Sequence, residues 1–263
     1  MAYKVLNKIS VKDTTSTQLV SLNTSMLVIV CNKDTKNNVA FKQLDKVSKG
    51  YLSKSISSNI QDDGSSLLLP QITGIKAKNI MLVKGLDSDK PIHKWLSMYE
   101  GISKKANAIK ASDISIMCGN TYPEGKDENW LIETVAKTVE SNAYIFSETK
   151  NKTTKKPSLK NLTLLTTGLK GSNLAKAKDA AKKGFAIGEG VNTTKYLGDL
   201  PANHCTPRII EKKVKAMKKD FPNLKIKSFN EKDLAKMKMG SFLSVARGSE
   251  EPARMMVIEY NGG

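Results

Sequence analysis

Through the first 170 or so residues, short apolar runs of strand length alternate with longer segments whose apolar residues recur at helical spacing. That alternation narrows the available folds more than any other feature of the chain. The strand-like runs are residues 26–31 (MLVIVC), 66–69, 79–83, 113–118 and 161–166. Between them Phe41, Leu44, Val47, Tyr51 and Leu52 keep helical spacing, as do Trp95, Tyr99, Ile102, Ala106 and Ile109. A third helix, over residues 128–141, presents Leu131, Val135 and Val139. Repeated strand–helix alternation predicts an α/β layer domain, with helices packed on a central sheet. The polar, proline-interrupted segment 151–160 (NKTTKKPSLK) is expected to be a surface loop before the last strand.

An alanine- and lysine-rich stretch, residues 172–196, follows. Leu174, Ala177, Ala181, Phe185 and Val191 fit one side of a helix, which predicts a long connecting helix between domains. Gly184, Gly188 and Gly190 interrupt it, each at a cost of about 1 kcal/mol relative to alanine, so close packing is expected where they stand. The next segment, GDLPANHCTP (198–207), ends in helix-start chemistry. Thr206 suits an N-cap and Pro207 the first helical position, where its missing N–H would be unpaired anyway. Ile210, Val214, Met217 and Phe221 then keep helical spacing until Pro222. LKIKSF alternates like a strand, Asn230 caps a short helix (EKDLAKM), and MMVIEY, residues 255–260, reads as a buried strand. Helix, strand, helix, strand marks the start of a second α/β sheet. The expected boundaries are 1–171, 172–196 and 197–263.

With 263 residues, 39% hydrophobic and 26% charged, the chain has material for two globular domains. No apolar run approaches the roughly 20 residues that span a bilayer, so no membrane partner is expected. The N-terminal residues lack a continuous apolar signal segment, and a cytoplasmic location is the expectation. A net charge of +18 suggests polyanion binding, yet all but three of the 43 basic residues are lysine, spread along the chain. Arginine makes the commonest specific base contact, whereas scattered lysines give salt-sensitive phosphate attraction, so a solvated lysine surface is the first reading. Cys31, Cys118 and Cys205 lack the spacing of a disulfide framework or zinc ribbon and are expected as buried thiols.

No active site can be assembled from the motifs. His204 and Cys205 are adjacent, and in an extended segment their side chains point opposite ways. His93 has no ligand-like neighbours, and HExxH, CxxC, GxSxG and phosphate-loop patterns are missing from the 263 residues. GEG at 188–190 fails as a dinucleotide fingerprint because Thr193 occupies the third glycine position. Asp62 with Asp63, Glu250 with Glu251, and Glu128 with Glu133 do not gather into a ligand set.

The order of segments nevertheless points to a family. EGVNTTKYLGDLPANHCTP (189–207), followed by MGSFLSVARGSEEPARMMVIEYNGG (239–263), resembles the leucyl aminopeptidases, also called cytosol aminopeptidases. Weaker similarity covers NIMLVKGL (79–86) and YIFSETK (144–150), and Lys195 departs from the arginine usual in the family. The resemblance implies a macro-like N-terminal α/β domain over 1–171, a linking helix over 172–196, and over 197–263 the incomplete start of an α/β catalytic domain. It implies a hexamer acting on peptides, in which two divalent metals (manganese, zinc or magnesium) activate water to release the N-terminal residue. A lysine and an arginine-held bicarbonate assist in that chemistry. The family's Lys-Gly-x-x-Phe-Asp-Ser-Gly-Gly and Asn-Thr-Asp-Ala-Glu-Gly-Arg stretches, which hold those groups, have no counterpart in these 263 residues. No catalytic, metal-ligating or substrate-binding residue is therefore carried over. The chain alone is expected to be inactive, as a fragment, a shortened product or one half of a split enzyme. The alternatives are a non-catalytic module, binding DNA weakly through its lysines, and a regulatory subunit of mixed hexamers.

Overall fold

The computed structural model describes residues 3–14, 19–32, 35–150 and 157–262, which fall into two compact units. The larger, Lys4–Asn192, is built on a six-stranded sheet. Its strands are β1 (Lys8–Asp13), β2 (Met26–Cys31), β3 (Ser66–Pro70), β4 (Asn79–Lys84), β5 (Asp113–Met117) and β6 (Asn161–Thr166), in the order β1-β6-β5-β2-β4-β3. Only β3 and β4 pair antiparallel; the other neighbours are parallel. Every residue of β2 is buried, as an unbroken apolar run requires when helices cover both faces of a sheet.

On one face Leu27, Ile29, Ile80 and Leu82 form a core with Phe41 and Leu44 of α1 (Val39–Val47) and Leu52 of α2 (Tyr51–Asn59). On the other, Met81 and Val83 meet Met98 and Ile102 of α3 (Ile92–Ala108), beside which lies α4 (Glu128–Asn142). Asn38 and Asp127 cap α1 and α4 through their side chains.

Over the first 150 residues two features depart from the sequence reading. β1 has no apolar run to announce it: in KISVKD only Val11 is buried, because the strand lies at the sheet edge. The spacing from Phe41 to Leu52 spans two helices, broken where Lys49 and Gly50 take φ values of 53° and 80°. A left-handed conformation ends a helix, and glycine adopts it at no steric cost. Of the expected surface loop, residues 151–156 lie outside the described residues; Leu159, just beyond, is buried.

The connecting helix exists as α5 (Gly171–Asp199), but its buried face is Ala177, Ala181, Gly184, Gly188 and Asn192. Phe185 is half-buried and Val191 exposed, contrary to the stripe expected of them. The reason is proximity to α4. A Cβ at Gly184 would overlap the Glu133 carbonyl oxygen, and one at Gly188 would stand 2.7 Å from Glu140 Cβ. A Cβ added at Gly190 would meet nothing within 4 Å, so close packing accounts for two of the three glycines.

The smaller unit comprises residues 193–262 with Tyr3. It contains α6 (Pro207–Asp220), β7 (Leu224–Asn230), α7 (Glu231–Lys236), α8 (Gly240–Ala246) and β8 (Arg254–Tyr260), with β7 antiparallel to β8. Asn230 and Asp233 form a reciprocal capping box on α7. The expected burial of residues 255–260 is wrong: Val257, Ile258 and Tyr260 are 38%, 47% and 67% exposed. A strand is buried by neighbours, and among the described residues β7 alone pairs with β8. The apolar face of α6 is likewise only half-buried at Ile210, Val214 and Met217, and Phe221 is exposed. Helix α8 was not anticipated.

Candidate functional site

The segment with the most recognisable chemistry is a structural corner. After α5 ends at Asp199, Leu200 is buried and Pro201 opens a single 3-10 turn, Ala202–His204. The N–H groups of His204 and Cys205 bond back to the Pro201 carbonyl at 2.8 and 3.0 Å. Thr206 Oγ1 then accepts the Ile209 N–H, and Pro207 occupies the first turn of α6. The backbone here is a 3-10 turn, where an extended segment was the premise for separating the two side chains. It leaves His204 exposed and Cys205 half-buried. The two backbone bonds to Pro201 and the Thr206 cap set the chain direction here.

Most of the other candidates are tied into ion pairs or buried. Asp63 holds Lys90 at 3.1 Å, Glu133 holds Lys183 at 3.0 Å, and Glu251 faces Arg208 at 3.4 Å. Glu128 lies in the first turn of α4, its carboxyl raised above the usual range by burial and then by Asp127 and Asp13. Burial pushes the Cys31 and Cys118 thiols up to about 12, so both stay protonated and unreactive at neutral pH. His93 is exposed on the first turn of α3. Among the described residues no three His, Cys, Asp or Glu side chains gather as a metal would require. A pair of divalent cations does not fit this donor set.

Two carboxylates overlooked in the sequence organise the units. Glu140, fully buried on α4, accepts the Val5 and Leu6 N–H groups at 2.7 and 2.9 Å. Asn192 Nδ2 donates to the Glu140 carbonyl and to Oε1 at 3.0 and 3.1 Å, so one side chain joins the N-terminal segment, α4 and α5. In the smaller unit Glu211 accepts from Lys215 Nζ and Ser228 Oγ, both at 2.6 Å, and from Arg254 Nε at 2.9 Å. These bonds, led by the Lys215 ammonium, lower its carboxyl to about 2 and knit α6 to β7 and β8. The sequence signal for both was faint, a lone acid on a helix whose partners lie far along the chain.

A mostly parallel α/β layer domain, continued through a long helix into a second α/β unit, is the class of protein that these features define. The chain belongs to the cytosol aminopeptidase family. Residues 27–153 match that family's N-terminal domain and residues 192–263 its catalytic domain. A probable cytosol aminopeptidase of Pseudomonas fluorescens is 33% identical over 249 residues, which make up 92% of this chain and 49% of the relative. A probable cytosol aminopeptidase of Azotobacter vinelandii is 31% identical, over 94% of this chain and 50% of its own. The chain thus spans about half the length of the curated relatives it matches. Among solved structures, a tomato leucine aminopeptidase mutant superimposes with a TM-score of 0.76 at 21% identity, over 99% of this chain and 52% of that one. The bottromycin maturation enzyme BotP, in complex with Mn, gives 0.63 at 14% identity, over 90% and 45%. Both share the fold. Among the described residues no helix is long and apolar enough to cross a membrane.

Proposed function

We propose that this chain is the N-terminal portion of a metal-dependent aminopeptidase that removes N-terminal residues from peptides, and that these 263 residues alone do not hydrolyse them. The observation that carries the reading is the succession of the family's N-terminal and catalytic domains along the chain; that no metal-ligand group gathers among the described residues supports it. The two divalent metals, manganese or zinc, and the bicarbonate of the full-length enzyme are held by sequence outside these residues. Residues 1–171 form a macro-like domain, 172–196 the linking helix, and 197–263 the opening part of the catalytic domain. The complete protein is a cytoplasmic hexamer. The exposure of Val257, Ile258 and Tyr260 supports this reading, because an apolar strand is stable in a sheet when further strands flank it. Incubating the purified 263-residue chain with a leucyl chromogenic amide and manganese tests the proposal. No turnover above the metal blank is expected, whereas metal-dependent release of chromophore by this chain alone refutes it.

A further inference from the structure

We propose that the β3 edge of the larger unit, with the groove beside it, docks an extended acidic segment of a partner protein, which adds to the sheet as a further strand. β3 stands last in the sheet order and, among the described residues, pairs with β4 alone. The Lys84 N–H donates to the Ser65 carbonyl at 2.8 Å, and in an antiparallel ladder the inward-facing residues alternate. Leu67 and Leu69 therefore face β4 as Ser65 does, and Ser66, Leu68 and Pro70 turn their backbone groups outward. Pro70 falls where a missing N–H breaks no ladder bond. The N–H and C=O groups of Ser66 and Leu68 remain as a template for a new strand.

Two cavities, of about 430 and 330 Å³, lie end to end between this hairpin and α3, sharing Gly64, Ser97 and Met98. Met81, Val83, Leu86 and Ile102 give them an apolar floor. Lys94 stands at one end, and Lys104 and Lys105 at the other. Asp63, the acid among the lining residues, is already held by Lys90 at 3.1 Å, and Asp89 and Asp87 act on the same ammonium. From Lys94 to Lys104 a helix advances about 15 Å, a distance that an extended strand covers in about four residues. An even spacing keeps both carboxylates on the face that meets α3 and sends the residue between them into the cavity. The occupant is a peptide of the form Glu-x-Leu-x-Glu. A second copy of this chain would bring two lysine rims together in a protein of net charge +18. Nucleic acid supplies no strand for the edge, and its phosphates would meet an apolar floor.

Fluorescence anisotropy of a fluorescein-labelled peptide carrying Glu-Thr-Leu-Thr-Glu, titrated with the 263-residue chain, tests the assignment. Saturable binding is expected, weakened about tenfold in the Lys104→Glu/Lys105→Glu variant. Methylating the peptide's backbone nitrogens on the side that pairs with β3 should weaken it comparably, and this change leaves the protein's own fold untouched. Binding indifferent to N-methylation, or displaced equally well by short duplex DNA, overturns the proposal in favour of a general polyanion surface. Failure to bind, or a dimer seen by sedimentation without peptide and broken by the lysine substitutions, overturns it as well.

Discussion

Gly184 and Gly190 lie on one helix, and alanine at the two positions should act with opposite sign. In a helix interior alanine is favoured over glycine by about 1 kcal/mol, partly through the unfolded chain. At Gly190 the new Cβ meets no atom within 4 Å, so Gly190→Ala should stabilise by about 0.5–1 kcal/mol. At Gly184 it would overlap the Glu133 carbonyl oxygen, with the carbonyl carbon at 2.8 Å and Ala136 Cβ at 3.0 Å. Carbon atoms pack at about 3.5–4.0 Å, so α5 would have to withdraw from α4 by roughly 1 Å. The obstructing oxygen belongs to helix backbone and cannot swing aside as a side-chain tip could. Overpacking of this kind costs about 1–3 kcal/mol, and retreat of the helix also loosens Ala177 and Ala181. Net of the propensity gain, Gly184→Ala should destabilise by about 1–2 kcal/mol, leaving the two variants about 1.5–3 kcal/mol apart. Urea unfolding followed by far-UV circular dichroism should separate their midpoints by about 0.5 M or more for an m-value of 1–3 kcal/mol/M. A Gly184→Ala protein as stable as Gly190→Ala would refute the close approach of α5 to α4.

Glu140→Ala removes the acceptor of two buried N–H groups and should cost about 3 kcal/mol in the same unfolding assay. Burial lifts the Glu140 carboxyl above its ordinary value of 4.5, so its folded form binds the proton more tightly than the unfolded chain does. Its contribution is therefore complete below pH 4.5 and falls as pH rises through the folded pKa. Glu140→Gln should flatten that part of the stability profile, measured by thermal melts between pH 4 and 7. Thr206→Ala deletes the cap on Ile209 N–H and should destabilise the smaller unit by about 1 kcal/mol, read as faster amide exchange in α6. With an aromatic disulfide reagent at pH 8, the half-buried Cys205 should react in the native protein. Cys31 and Cys118, buried and held near 12, should react only after denaturation.

The parts of the fold legible in the sequence were those set by local pattern. MLVIVC is a fully buried central strand because an unbroken apolar run has no other home, and Thr206-Pro207 starts a helix because its chemistry is complete within a few residues. What escaped depends on distant neighbours. β1 is held by β6 across more than 150 residues while carrying one buried apolar side chain. The burial stripe of α5 was misplaced because Phe185 and Val191 are the more hydrophobic residues, whereas contact with α4 demands the smallest ones. MMVIEY carries the composition of a buried strand, but exposure reports what lies beside it. The carboxylates that do organise the chain, Glu140 and Glu211, find their partners only in three dimensions.

The proposed function requires that the donors for paired cations lie outside these 263 residues. Anomalous diffraction at the manganese edge, from crystals of this chain grown with millimolar manganese, examines it directly. No pair of bound ions a few ångströms apart is expected. Two neighbouring manganese ions, both coordinated entirely by side chains of residues 1–263, would contradict it.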